Sequence, residues 1–241
     1  ELLKIQGLGP KTIALLWSAH RIHDVEGVEK LARAGKLREL PRMGEKQEQK
    51  ILKAIEDYRR ISGRYLIDVA EGEGEKLAAY LRAVPGVEKV TPAGSLRRGR
   101  ETIGDLDMLV TGKACASAKP REAIIGKIAA YPGLQEVIAS GENKVSFRLR
   151  DGMQVDVRLL APDSFGAAML YFTGSKSHNI ALRQRALKMG YTLNEYSLAR
   201  LKTEKPVASK TEEEIYAKLG LDYIPPELRE NSGEIGAAAT H

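Results

Sequence analysis

The chain has 241 residues, 43% hydrophobic and 29% charged, enough for one large domain or several small ones with real cores, so a folded, soluble protein is expected. A formal charge of +6 permits a polyanionic partner without requiring one. The single cysteine, Cys115, excludes an internal disulfide framework and a thiolate-rich zinc site and suits a reducing cytoplasm; no apolar run reaches membrane-span length, and Glu1-Leu2-Leu3-Lys4 has no signal-peptide layout.

In chain order, residues 1–62 read as helical and basic, with Ile13, Leu16 and Trp17 in one stretch and Ile51, Leu52 and Ile55 in another at helical spacing. The opening residue is not methionine, so a fragment of a longer protein is expected. Ile61-Ser62-Gly63-Arg64 marks a boundary, and a helix follows over much of Leu66 to Ala83, stopped by Pro85-Gly86. From Val87 to Leu160 the period shifts toward two, which predicts strands over Glu88–Ser95, Asp105–Thr111, Lys144–Arg150 and Gln154–Leu160. One helix, Arg121 to Tyr131, interrupts them, and Asp151-Gly152 signals a hairpin between the last two. Beyond Pro162 helix returns from Ser164 to Tyr171, pauses at Thr173-Gly174-Ser175 and resumes to Met189. Thr211 and Glu214 form a capping box for a short helix ending before Gly220, and the tail after Pro225-Pro226 is low in bulky apolar residues.

The strongest chemical signal is the run Gly94, Ser95, Leu96, Arg97, Arg98, Gly99 followed by Gly104, Asp105, Leu106, Asp107. On a strand, Asp105 and Asp107 point to one face while Leu106, Met108 and Val110 point to the other. Two close carboxylates raise each other's pKa unless a cation sits between them, and Mg²⁺ is held by a few carboxylates together with phosphate oxygens. Asp156, in a strand whose Val155, Val157 and Leu159 face the core, supplies a third ligand. An Asp-x-Asp pair alone also fits a solvated strand face. Here a Gly-Ser turn lets backbone amides and a hydroxyl approach phosphate, and Arg98 can fork onto phosphate oxygens.

These residues resemble the nucleotidyltransferase signature in the form found in X-family DNA polymerases. The resemblance implies that Asp105, Asp107 and Asp156 hold two divalent ions, Mg²⁺ or Mn²⁺, and that Gly94, Ser95 and Arg98 hold the triphosphate; Arg97 receives no role. A second match runs from Tyr171 through Phe172, Thr173, Gly174 and Ser175 to Asn179 and Arg183, with Lys176, Asn179 and Arg183 on one helix face. By resemblance Tyr171, Phe172 and Gly174 pack beside the incoming nucleotide, Asn179 touches its minor-groove edge and Arg183 contacts the template. Lys176 departs from the acidic residue of the best-known animal members, which puts nucleotide selectivity there in question. A third match, Gly7-Leu8-Gly9-Pro10-Lys11, resembles a helix-hairpin-helix that grips DNA phosphate without regard to sequence, often through a monovalent cation. Leu40-Pro41-Arg42-Met43-Gly44 is a possible second copy, with Arg42 where a glycine is expected. Lys144 sits where the family carries a lysine near the template backbone, and Arg64 is a further triphosphate candidate; each also fits an ordinary solvated cation. His20 and His23 have Asp24 nearby but no trusted metal spacing.

The implied fold is α+β: a helix-hairpin-helix region over 1–64, a catalytic palm with mixed sheet over 65–161, a small α/β nucleotide-selecting subdomain over 162–228, and a linker over 229–241 leading to a carboxy-terminal domain not in the sequence. An amino-terminal lyase domain usual in the family is also not in it. The implied activity is repair DNA synthesis in short gaps, by a monomer using deoxynucleoside triphosphates and primed or gapped DNA, in the cytoplasm and away from membranes. Two rivals stand beside it: a nucleotidyltransferase acting on another acceptor, which needs neither the hairpin nor Tyr171 to Arg183, and a non-catalytic DNA-binding module.

Overall fold

The computed structural model describes residues 2–41 and 43–239, and its contacts divide the chain into two units, Glu1–Arg64 and Tyr65–His241.

In the first unit, helices α1 (Pro10–His20), α2 (Val25–Arg33) and α3 (Glu45–Ser62) follow one another. Pro10 opens α1, where a missing N–H costs nothing. The Asp24 side chain accepts the Gly27 N–H at 2.7 Å and so caps α2; its partner is the backbone, not the neighbouring histidines. Leu16, Val28, Leu31, Ile51 and Ile55 close the core together with Leu2, Ile5 and Leu8. Trp17 does not join them: it is 49% exposed, in an edge-on contact with the His23 ring and with the Arg21 guanidinium over its face. Of the proposed second hairpin, Arg42 lies outside the described residues, while Leu40 and Met43 pack into this core and Gly44 precedes α3.

The second unit begins with β1 (Tyr65–Leu66), α4 (Ile67–Arg82), β2 (Lys89–Pro92), α5 (Gly94–Arg97), β3 (Thr102–Ile103) and β4 (Asp105–Thr111). It continues with α6 (Ala118–Ala129), β5 (Leu134–Ser140), β6 (Lys144–Leu149) and β7 (Gln154–Leu160). β1 and β3 pair separately, and the main sheet has the order β2-β4-β7-β6-β5. Only β4 and β7 are parallel. Alternation sorts its two faces. Leu106, Met108, Val110, Val155, Val157 and Leu159 join α4 and α6 in one core through Leu77, Leu81, Ile124 and Ile128. On the other face Leu109 and Leu160 meet Ala168 and Met169 of α7 (Phe165–Thr173).

After α7 come α8 (Lys176–Lys188), the three-stranded β10-β9-β8 sheet formed by β8 (Tyr191–Leu193), β9 (Leu198–Arg200) and β10 (Pro206–Ala208), then α9 (Glu212–Lys218) and α10 (Glu234–Ala237). The capping box is present: Thr211 accepts from the Glu214 N–H, and the Glu214 carboxylate reaches back. Gly166 passes so close to Thr211 that any Cβ would lie 2.3 Å from its backbone, so α7 meets the start of α9 only through glycine.

The structure corrects one expected strand and adds strands that the sequence did not signal. The strand expected over Glu88–Ser95 ends at Pro92 and gives way to a helical turn at Gly94, whose φ is +58°. β5 was unread because it carries no alternation, being exposed along nearly its whole length. The short strands after α8 were also unread, each being only 3 residues long. The segment after Leu228 packs onto the unit: Arg229 is fully buried, Leu221 bridges Ala239, and Ile235 and Ala238 lie against the local core. Among the described residues no helix is long and apolar enough to cross a membrane.

Candidate active site

The parallel pairing of β4 with β7 places Asp107 directly beside Asp156 and Asp105 beside Gln154. Paired residues in a sheet point to the same face, so the three carboxylates stand on the face that Leu109 and Leu160 continue under α7. The cover of α7 ends at Thr173, and a cleft of about 500 Å³ opens there. Gly94, Ser95, Arg98, Asp105 and Asp107 line one wall. Tyr171, Phe172, Gly174, Lys176, Asn179 and Arg183 line the other. Asp156, 7% exposed, lies behind the lining beside Asp107.

Gly94 is held against Asp107: a Cβ there would fall 2.4 Å from Asp107 Oδ2, and the Ala93 N–H bonds the Asp107 carbonyl at 2.9 Å. Only glycine brings the Ser95 turn this near the carboxylates.

The electrostatics of the three aspartates differ. Burial, then the charges of Asp105 and Asp156, push Asp107 up to about 7. Burial also works against the Asp156 carboxylate, but hydrogen bonds from Lys144 and Ser146 outweigh it and hold Asp156 below the usual value. Lys144 Nζ lies 2.6 Å from Asp156 Oδ2, while Asp156 Oδ1 is buried with no hydrogen-bond partner. Among the described residues, no three carboxylates or imidazoles are already gathered at metal-ligand spacing.

The arginines divide their work. Arg98 donates from Nη1 to the Thr173 carbonyl at 2.5 Å and from Nε to Glu230 at 2.8 Å, which fixes it across the cleft mouth. Arg97, given no role by sequence, donates to both Glu212 oxygens at 2.9 and 2.6 Å and to Thr173 Oγ1 at 2.7 Å. Glu212 also accepts from the buried Arg229 at 2.6 Å. His178 is sealed between Glu234 and Tyr216. Asn179 donates to the Tyr171 carbonyl at 2.7 Å, joining the start of α8 to the end of α7.

Arg158 escaped the sequence reading although its position two residues after Asp156 put it on the same face. Its guanidinium lies 4.1 Å from the Phe172 ring centroid, and its Nε is buried without a partner. In the first unit, Gly7 occupies the turn before α1, and Gly9 and Lys11 flank its exposed amino end. Arg64 is exposed at the end of the same unit.

Known proteins resemble this chain in sequence and in fold. Residues 168–230 match the family model of the DNA polymerase beta thumb, and residues 1–57 match that of a SAM-like helix-hairpin-helix tandem. The chain is 36% identical over 236 residues to the DNA polymerase/3'-5' exonuclease PolX of Bacillus subtilis (strain 168), a match that takes in 97% of this chain and 40% of that protein. It therefore spans about 40% of the length of that relative. The Repair DNA polymerase X of African swine fever virus (isolate Tick/South Africa/Pretoriuskop Pr4/1996) is 28% identical over 145 residues, 59% of this chain and 82% of the viral protein. In fold, the chain is similar to Leishmania infantum polymerase beta in its ternary P/T complex, with a TM-score of 0.63 and 23% identity over 95% of this chain and 97% of that one. With a thumb model at one end, a helix-hairpin-helix model at the other and the carboxylate-lined cleft between the sheet and α7, the chain belongs to the X family of DNA polymerases.

Proposed function

We propose that this chain is the core of a repair-type DNA polymerase that adds deoxynucleotides to a primer 3′-hydroxyl within short gaps. The observation that carries the reading is the pairing of Asp107 with Asp156 on parallel strands at the floor of a cleft whose opposite wall is Tyr171 to Arg183.

The residues present fit a pair of divalent cations. Asp156 Oδ1 is a buried acceptor with no donor, and Asp107 is crowded by two like charges, two defects that bound cations would remove. Asp105, Asp107 and Asp156 would hold the ions. Bound there, Mg²⁺ or Mn²⁺ lowers the pKa of a hydroxyl nucleophile and neutralises a triphosphate. The chain itself positions. Gly94 and Ser95 offer amides and a hydroxyl to phosphate, and Arg98, steadied by Thr173 and Glu230, offers its guanidinium. Tyr171, Phe172 and Gly174 are assigned to the incoming sugar and base, Asn179 to its minor-groove edge and Arg183 to the template; their shared lining of one cleft supports the assignment. Gly7, Gly9 and Lys11, with a monovalent cation, serve as a phosphate grip on DNA, and Lys144 is a further DNA contact. A reducing cytoplasm, in which the buried Cys115 stays a thiol, is the compartment this reading assigns.

The direct test is extension of a primer across a short gap with Mg²⁺ or Mn²⁺ and each triphosphate separately. Addition of only the nucleotide complementary to the template base is expected. Addition that ignores the template would assign the site to another acceptor, and no addition, with DNA binding retained, would leave a binding module.

The raised Asp107 makes cation binding depend on pH. Because its folded value of about 7 exceeds the ordinary aspartate value, the metal-free protein keeps a proton there that the unfolded chain releases, and metal-free stability falls as pH rises from about 4 to 7. A cation must displace that proton. Apparent Mn²⁺ affinity measured by calorimetry is therefore expected to rise about tenfold between pH 6 and pH 8 and then level off. A flat profile over that range would refute the coupling.

A further inference from the structure

Lys144, assigned above to DNA, spends its charge elsewhere in this structure. Its ammonium sits 2.6 Å from Asp156 Oδ2, from a strand whose register sets Ser146 opposite Asp156 and Lys144 opposite Arg158. Among the described residues, Asp105 and Asp107 form no ion pair, so one carboxylate of the three is neutralised from within the chain and two are not. The second cation near Asp156, Arg158 Nη2 at 3.9 Å, is stacked on Phe172 and cannot easily withdraw. Lys144 differs from it: its side chain is 34% exposed, on a flexible four-carbon stem that lets the ammonium swing to water.

We propose that Lys144 is a resident counter-ion that stands in for a divalent cation on Asp156, and that cation binding releases it toward the cleft. The inference rests on the reading of the three aspartates as cation ligands. An ammonium and a divalent ion on one buried carboxylate repel strongly, because little water lies between them to screen the pair. The mobile partner is the one that leaves. Its departure strips a positive charge from the floor of the site as the ion arrives and hands that charge to a nearby phosphate, so cation loading and the grip on DNA are linked through one side chain. Lys144 is in this sense a residue that sets metal affinity, not one that touches the reacting atoms.

Two measurements on the DNA-free chain test this. Mn²⁺ calorimetry on wild type and Lys144→Met is expected to show about tenfold tighter binding in the variant, the scale on which a ligand's neighbours shift metal affinity. Acylation of wild-type amines by an N-hydroxysuccinimide ester, read peptide by peptide by mass spectrometry, is expected to rise several-fold at Lys144 when Mn²⁺ is added, while Lys76, paired with Glu73 far in sequence from the site, stays constant. Unchanged or weaker binding by the variant overturns the proposal, weaker binding marking Lys144 as a clamp that orients Asp156. Tighter binding with constant acylation overturns the release. If Lys144→Met does not fold, the wild-type acylation decides. Absence of Mn²⁺ binding by wild type, equal to that of Asp156→Ala, would instead remove the aspartate reading on which the proposal stands.

Discussion

Asp156→Ala is expected to lower primer extension by on the order of 10³-fold, the upper end of what loss of one preorganised electrostatic group costs, while DNA affinity does not fall. Asp156 is the most buried of the three carboxylates, and one of its oxygens faces no donor within the chain, leaving it free for a cation. Its removal should not unfold the chain. Lys144 loses its partner but is 34% exposed and can turn to water, and the Val155–Val157 face that anchors β7 is untouched. Single-turnover gap filling and fluorescence anisotropy on the same gapped duplex separate the two effects. Extension at the wild-type rate would sink the assignment of Asp156, and equal loss of DNA binding would make its role structural.

The largest effect on stability is expected from Glu212→Ala, about 3–5 kcal/mol, the range for breaking a buried ion pair from one side. Glu212 is 6% exposed and joins two arginines: Arg97 from the turn that carries Ser95 and Arg98, and Arg229, which is 0% exposed. Without it, Arg229 keeps only the Ile224 carbonyl and the Tyr216 and Tyr223 ring faces, and its Nη2 already has no partner. A buried guanidinium so exposed to mismatch is costly because its lost hydration is not replaced. Urea denaturation measures the change, and a loss below about 1 kcal/mol, the scale of a surface pair, would refute the bridging role. The pH dependence has a definite sign. Burial works to raise Glu212, but hydrogen bonds from Arg97 and Arg229 hold it below the ordinary glutamate value, so its contribution is full above that value and fades as pH falls through the lower folded one. The gap between wild type and variant should therefore narrow below about pH 4.

Much of the site was legible because short-range periodicity encodes it. Asp105 and Asp107 share a face because strand side chains alternate, and the same rule placed Val155, Val157 and Leu159 in the core and could have placed Arg158 beside Asp156. The Asp151-Gly152 hairpin joins antiparallel strands as the turn residues foretold, and Thr211 with Glu214 caps a helix as their spacing required. Local signals failed where their cause is not local. β5 shows no alternation since beyond Leu134 neither face is buried, and Trp17 sits one position off the buried stripe of α1 because Leu16 takes the core place. The tail holds few bulky apolar residues yet is bound in, through Arg229, Glu230 and Glu234, to partners supplied from positions 98, 178 and 212.

By itself, then, the chain's order of residues determined which groups are candidates for the chemistry and which face each one takes along its own strand or helix. Only the tertiary structure decided what those groups meet: that Asp107 lies beside Asp156, that Lys144 turns to a carboxylate, and that Arg97 is spent on Glu212 while Arg98 stays at the cleft. The reason is range. A period of two or of 3.6 residues is set by backbone geometry within one element, whereas a charge's partner is chosen by burial and by whatever distant segment brings the opposite charge within about 4 Å.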